Sequence, residues 1–302
     1  MSLPRTKRLD GTEVAFPREV VYERRASASP QRPWLSILIP TLRARRVRRT
    51  GLVRGLGRQV RASRGRAELV LLEDAGGLPS GAKRNQLRDA ARGDYLAFVD
   101  DDDSVADDYV EAIFDRLTDF PDVVTFDLER IADGATEIHR LGLAHADRTP
   151  LAPGVLGFRA NHLCAWRRDL ALVLGFVPWI GYLDDVFWYE PLHASGLART
   201  EAHVDAVLYR YLWDAAATAN QREASHALTR RWAAGGVDCY WLDGQIVLAA
   251  AGRNHAPSAG CIDATVEDAA GRRRLVPVID PTGRERFVPG ERLTKFHTVQ
   301  PR

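Results

Sequence analysis

Between residues 35 and 117 short apolar runs alternate with stretches of helical period. Residues 35–39 read LSILI, a continuous apolar strand stopped at Pro40. The basic stretch that follows, to about residue 61, carries Leu52, Leu56 and Val60 at spacing four, one apolar stripe of a helix. Residues 68–72 (ELVLL) form a second strand that ends in Glu73 and Asp74, and residues 81–92 read as a helix with Gly93 as its stop. Residues 95–99 (YLAFV) are a third strand; Val110, Ile113, Phe114 and Leu117 stripe the helix after it. Continuous apolar strands alternating with helices predict βαβ units, hence an α/β fold with a mostly parallel, Rossmann-like sheet flanked by helices. Ligands of such sheets bind beyond the carboxyl ends of the strands. Three of those ends are polar here: Pro40 with Thr41, Asp74, and the run Asp100, Asp101, Asp102, Asp103.

The rest of the chain is less regular. Residues 122–126 read as a fourth strand, 167–174 as a short helix, 185–194 as a helix stopped near Gly196, and 204–212 as a strand. From about Gly252 turn signals at Ala270-Gly271 and Pro281-Thr282-Gly283 separate short β-prone runs, which predicts a small antiparallel appendage. Asp10-Gly11 suggests a further hairpin. The expected organisation is an N-terminal extension (1–33), a main domain (34–250) with a nucleotide-binding half (34–120) and an acceptor half (121–250), and a β-rich appendage (251–302).

The 302 residues are 45% apolar and 27% charged with a formal net charge of +2, enough for one large domain with an appendage. So even a balance excludes a dedicated nucleic-acid or membrane-surface protein. The arginine runs at 43–49 (RARRVRR) and 272–274 read as solvated surface. Cys164, Cys239 and Cys261 are odd in number and lack CxxC spacing, which fits reduced thiols and neither a disulfide framework nor a zinc site. With no apolar run of spanning length and no signal-peptide core, a cytoplasmic protein without a transmembrane segment is expected. No oligomeric state is legible.

Adjacent carboxylates at the end of a buried strand repel one another and raise each other's pKa unless a cation is present. A hard divalent ion, Mn²⁺ or Mg²⁺, relieves that penalty, taking one or two carboxylates with substrate phosphates and water completing its shell. The plainer alternative is that Asp103 or Ser104 caps the next helix while the others face solvent. The order and spacing of LSILIPT (35–41), Leu71-Leu72-Glu73-Asp74, Gly81-Ala82-Lys83-Arg84-Asn85, Ala91-Arg92-Gly93-Asp94-Tyr95 and Phe98-Val99 before the four aspartates resemble family 2 glycosyltransferases, GT-A-fold enzymes with a DxD motif. That resemblance implies a metal-dependent, inverting transfer of a sugar from a nucleotide-sugar donor, habitually a UDP-sugar, to a carbohydrate or other hydroxyl acceptor. By position, Pro40 and Thr41 would line the base pocket and Asp74 would accept from the base. Arg84 would lie near base or diphosphate, Lys83 would be a phosphate contact, Asp100 and Asp102 would form the DxD pair, and Asp101 would face the ribose. Asp102 is the candidate metal ligand, with Asp100 beside it. Leu42 stands where the family often has an aromatic.

Inverting transfer needs a base for the acceptor proton and positive charge for the departing diphosphate. Gly181-Tyr182-Leu183-Asp184-Asp185-Val186-Phe187-Trp188 resembles the family's Glu-Asp motif with Asp184 in the glutamate's place, which implies Asp185 as the general base and leaves Asp184 as the second catalytic candidate. Both sit at a predicted helix N-terminus, where N-capping would explain them equally. Residues 161–168, with His162 and Trp166, occupy the acceptor side of related enzymes. Trp166, Trp179 and Trp188 are candidate sugar platforms, with core packing as the alternative. His203 and His255 are candidates for the histidine that many GT-A enzymes add to the metal. A nucleotidyltransferase would need a glycine-rich loop after the first strand, where this chain has none. The remaining alternative is a non-catalytic carbohydrate-binding or assembly protein on the same scaffold.

Overall fold

The computed structural model describes residues 6–7, 13–14, 21–26, 32–213, 235–243, 245–250, 265–268, 271–282, 284–289 and 292–299. β1 (Thr6–Lys7) and β2 (Glu13–Val14) pair antiparallel, in keeping with the Asp10-Gly11 turn signal, although that dipeptide lies outside the described residues. β3 (Val21–Ala26) is followed by β4 (Leu35–Leu42), α1 (Thr50–Ala62), β5 (Ala67–Asp74), α2 (Ser80–Ala90) and β6 (Tyr95–Phe98). β5, β4 and β6 lie side by side and parallel, with β3 antiparallel on the outer edge of β5. All eight residues of β5 are buried, as a strand flanked on both edges and covered on both faces requires. α1 buries Val53, Leu56 and Val60.

Next come β7 (Ser104–Val105), α3 (Tyr109–Phe114), β8 (Val123–Ala132), β9 (Ala135–Gly142), β10 (Thr149–Ala152), β11 (Val155–Arg159), β12 (Ala165–Arg167), α4 (Arg168–Ala171), α5 (Val186–Ala194) and β13 (Glu201–Trp213). β12 inserts antiparallel between β6 and β8, and there the sheet turns from parallel to mixed. The order is β10-β11-β9-β8-β12-β6-β4-β5-β3. β13 runs parallel to β8, shifts register between Val204 and Tyr209, and there pairs antiparallel with β7. Those shifts bend β13 across the end of β6.

β14 (Val237–Leu242), β15 (Gln245–Ala250), β16 (Thr265–Asp268), β17 (Gly271–Ile279), β18 (Glu285–Pro289) and β19 (Thr294–Val299) form a second, antiparallel sheet in the order β16-β17-β15-β14-β19, with β18 on β17. The α/β architecture with a small antiparallel C-terminal sheet is the one the sequence predicts. β14 and β15 belong to that small sheet, although the sequence reading assigns them to 34–250. One apolar cluster runs through both sheets, from Leu35 to Val237, Ile246 and Val299.

Gly93 differs from its reading as a helix stop. α2 ends at Ala90 because Arg92 N donates to Glu68 Oε1 at 2.7 Å and Gly93 N to Ser36 Oγ at 2.8 Å, which draws the backbone onto β4. A Cβ at Gly93 would lie 2.6 Å from Ser36 N, so close approach selects the glycine.

Candidate active site

α2 assembles the site from parts far apart in sequence. Gly81, Asn85 and Arg88 share one helix face, and each holds the segment that follows α4. Gly81 N donates to Ile180 O at 3.2 Å. Asn85 Nδ2 donates to Phe176 O at 2.7 Å and Asn85 Oδ1 accepts from Phe176 N at 2.9 Å. Arg88 Nη1 donates to Leu174 O at 2.7 Å. Clamped in this way, the segment delivers Asp184 and Asp185 to the same helix's Arg84.

Arg84 is the centre of the cluster. Nη1 donates to Asp184 Oδ2 at 2.5 Å and Nη2 to Asp100 Oδ1 at 2.9 Å, while Nη2 also lies 3.2 Å from His162 Nε2. A guanidinium only donates, so Nε2 accepts and the proton of a neutral ring sits on Nδ1. Nδ1 is 3.5 Å from Asp185 Oδ2, and Nε2 is 3.7 Å from Asp100 Oδ2. Asp100 and Asp185 therefore flank one imidazole. Asp185 is the N-cap residue of α5, but its side chain makes no capping bond. Its carboxylate is part-exposed and faces the site.

The four aspartates have four different surroundings. Asp100 N donates to Tyr209 Oη at 3.0 Å, Tyr209 Oη donates to Asp103 Oδ2 at 2.7 Å, and Leu212 N donates to Asp103 Oδ1 at 2.9 Å. Asp103 is thus bound to β13 and caps no helix. Asp101 is buried: Oδ2 accepts from Thr41 Oγ1 at 2.6 Å, and Oδ1 accepts from Arg45 Nη1 at 2.7 Å. The same Arg45 Nη1 reaches Asp102 Oδ2 at 3.1 Å. Asp100 and Asp102 keep side chains 29% and 28% exposed, against 3% for Asp101, so the pair spaced as DxD is the pair that faces outward.

The electrostatics follow the same division. Burial works against ionised Asp100, yet Arg84 holds its carboxyl well below the usual range. Burial, then the charge of Asp100, push Asp102 up. The same two causes, in that order, raise Asp103 to about 8. Burial leaves Asp184 above the ordinary range, with Arg84 opposing and Asp185 adding to the shift. The cluster is short of positive charge around Asp102.

The other sequence-predicted residues are placed as follows. Pro40 is part-exposed at the end of β4, and Thr41 is buried against Asp101. Asp74 is fully buried: Oδ2 accepts from Gly76 N at 3.0 Å and Leu78 N at 2.7 Å, and Oδ1 pairs with Lys83 Nζ at 2.5 Å. Lys83 Nζ also donates to Thr41 O at 3.1 Å, and burial lowers its pKa. Lys83 and Asp74 thus brace the end of β4 from inside. Trp166 and Trp188 are 1% and 2% exposed, so neither offers a ring face to a sugar; both are core. Trp166 Nε1 donates to Asn161 O at 2.7 Å, and the Trp188 ring stacks on Phe176 at 5.2 Å. Trp179 is part-exposed at the edge of the core. Asp101, with both oxygens engaged and its side chain buried, is a structural anchor and does not face a ribose.

His203 is not brought to the aspartates. It sits in β13 opposite Thr125 of β8, whereas Tyr209, which bonds Asp103, sits opposite Leu128, roughly 10 Å further along β8. There it forms a group with Asp127 and Asp205, their ligand atoms within 4.8 Å of one another, into which Arg140 donates from Nε and Nη2. His255 lies outside the described residues. The sequence reading misses Arg45, in a run it assigns to solvent. Arg46 and Arg49 of that run bind Glu73.

No helix among the described residues is long and apolar enough to cross a membrane. Residues 45–174 match the family described as glycosyl transferase family 2. That stretch contains the four aspartates and stops short of Asp184 and Asp185. No curated protein matches the chain. Among solved structures, S. aureus TarS 1-349 in complex with UDP-GlcNAc is similar at 15% identity over 60% of this chain and 58% of that one, with a TM-score of 0.43. S. aureus TarS 1-349 is similar at 14% identity over 59% and 60%, with a TM-score of 0.42. The chain spans under two thirds of the length of these structures.

Proposed function

We propose that this chain, whose residues 45–174 match glycosyl transferase family 2, transfers a sugar from a nucleoside diphosphate donor to an acceptor hydroxyl with inversion, using Asp185 as general base. The observation that carries the reading is the convergence of two outward-facing carboxylates at the end of β6 with Asp185 from a separate segment, one imidazole apart. Binding alone does not require a base across from the cation-seeking pair. A UDP-sugar is the donor proposed, on the family likeness. The 34–213 portion is proposed as the catalytic domain, with the second sheet an appendage.

Asp102, with Asp100, fits a divalent ion. Both carboxylates are part-exposed, and Asp102 is raised by burial and its neighbour's charge, the surroundings a cation corrects. Bound there, Mn²⁺ or Mg²⁺ would supply positive charge to the departing diphosphate. The chain's own residues do the rest. The Asp185 carboxylate takes the acceptor hydroxyl's proton as that oxygen attacks the anomeric carbon. His162 Nδ1, buried and without a hydrogen-bond partner among the described residues, lies 3.5 Å from Asp185 Oδ2, where a small closure would let it steady the carboxylate. Arg84, itself buried, neutralises Asp184 and Asp100 and fixes their geometry, so its role is positioning without contact to base or diphosphate.

The test is a thermal-shift panel of UDP-, GDP- and dTDP-sugars with and without Mn²⁺, followed by turnover of the donor that binds. Asp102→Ala is expected to lose the metal-dependent shift and Asp185→Asn to keep it while losing transfer. An active Asp185→Asn protein removes Asp185 as base. The absence of a shift with any nucleotide moves the weight to a non-catalytic scaffold.

A further inference from the structure

The arginine run after β4 divides its labour. Arg43, Arg46 and Arg49 pair with Glu73, whereas Arg45 pairs with Asp101 and Asp102. Arg45 closes the 3₁₀ turn Arg43–Arg45 directly beyond the strand, its side chain 24% exposed. Its two contacts are unequal. Asp101, 2.7 Å away, is fixed, because Thr41 Oγ1 and Leu42 N also bind its carboxylate. Asp102, 3.1 Å away, is part-exposed and has acidic neighbours on both sides in the chain. The guanidinium thus stands between two of the four aspartates, tethered on its buried side and loosely paired on its open side. Nη1 alone makes both contacts of a group that offers five N–H donors in a planar fork.

We propose that Arg45 is the resident cation of this site: it holds Asp102 until a divalent ion arrives, and then, still tied to Asp101, it bonds the donor's phosphate oxygens. The inference rests on the nucleoside diphosphate reading above and adds a residue that the sequence assigns to solvent. A divalent ion carries twice the charge and takes oxygen ligands from the open side, so it displaces Arg45 from Asp102 and leaves the buried Asp101 bond intact. The freed donors then lie beside the ion, where phosphate oxygens complete its shell, and a planar fork suits them. Metal and donor thereby become coupled: ion binding alone works against Arg45, and ion binding with diphosphate is helped by it.

The experiment is calorimetric titration of Mn²⁺ into metal-free wild type and Arg45→Gln, first alone and then with UDP at saturating Mn²⁺. Arg45→Gln is expected to bind Mn²⁺ alone about fivefold more tightly, the size of a part-exposed ion pair, and UDP about fivefold more weakly. Equal or weaker Mn²⁺ binding by Arg45→Gln overturns the proposal. Melting curves check folding, and Arg45→Lys, which keeps the charge but not the fork, covers the case in which the glutamine variant fails to fold. The lysine variant, still a cation beside Asp102, is expected to bind Mn²⁺ as wild type does but UDP more weakly for want of the fork, and an unchanged UDP affinity overturns the proposal there. Wild type that binds Mn²⁺ but no nucleotide counts against the donor reading, while the Mn²⁺ comparison still decides whether Arg45 competes for Asp102.

Discussion

Gly81→Ala isolates the clamp on which the site depends. Gly81 lies in the first turn of α2, and an added Cβ there would meet Val177 O at 2.0 Å and Ile180 O at 3.3 Å. Ordinary contact begins at 3.4 Å, so helix and segment must part by about 1.4 Å. Neither neighbour can rotate away, since both are backbone. Overpacking against backbone costs at the upper end of the usual range, roughly 3 kcal/mol. In a chain of this size that lowers Tm by about 6 °C. The same separation pulls Asp184 from Arg84, whose contact is 2.5 Å, so transfer activity falls further than the folded fraction does. The control is Gly51→Ala in α1: nothing lies within 4 Å of its added Cβ, and the position is exposed. There alanine removes the helical cost of glycine and stabilises by about 0.5–1 kcal/mol. Calorimetric melts of both variants, with donor turnover per folded molecule, give the measurement. A Gly81→Ala protein that melts with wild type refutes the close packing of α2 on residues 176–180.

Two further outcomes follow from burial. Trp166→Ala, which empties a fully buried site and removes one of the two N–H donors to Asn161 O, is expected to cost roughly 3–5 kcal/mol and to leave acceptor KM unchanged in the folded protein; unchanged stability with a raised KM would restore Trp166 as a sugar platform. His193 is lowered from its ordinary value by burial, its Nε2 donating to Ala160 O at 2.8 Å. Below about pH 6.5 the unfolded chain takes up a proton that folded His193 resists, so its contribution is present above that pH and lost as pH falls. Tm is therefore expected to drop between pH 7.5 and 5.5, and less steeply in His193→Gln; parallel curves would exclude the histidine. His139 is lowered as well, and the difference between the two proteins isolates His193.

The strands were legible because a strand covered on both faces must be apolar throughout, and β4, β5 and β6 obey that rule locally. The DxD pair was legible for the same reason: carboxylates at the end of a buried run need an explanation. What sequence could not show is which carboxylates are neutralised from within. Arg84 and Asp184 are 100 residues apart, and no periodicity links them. Their meeting depends on Gly81, Asn85 and Arg88 gripping a segment whose own sequence has no regular pattern. The tryptophans failed for a related reason: an indole near an acidic motif suits a sugar or a core equally, and the clamp that buries Trp188 on Phe176 is tertiary.

The arginine run is different, because a signal was present. Glu73, Asp74 and Asp100–Asp103 lie at the carboxyl ends of β5 and β6, the parallel strands on either side of β4. Six carboxyl groups in one small region cannot all stay ionised without cations, and no lysine or arginine lies within those strand ends. Two basic runs follow strand ends within one connection, 43–49 after β4 and 83–84 after β5. Charge balance at the sheet's edge therefore required that run to turn inward before any surface was assigned to it. The structure meets the requirement with Arg45 on Asp101 and Asp102, Arg46 and Arg49 on Glu73, Lys83 on Asp74, and Arg84 on Asp100. Asp103, the one carboxyl without such a partner in this set, is raised to about 8 and held by a tyrosine hydroxyl and a backbone N–H. A basic run that follows an acidic strand end is better read as counter-charge than as solvated surface, and the residue left over after that pairing is the one whose protonation state the fold must settle by other means.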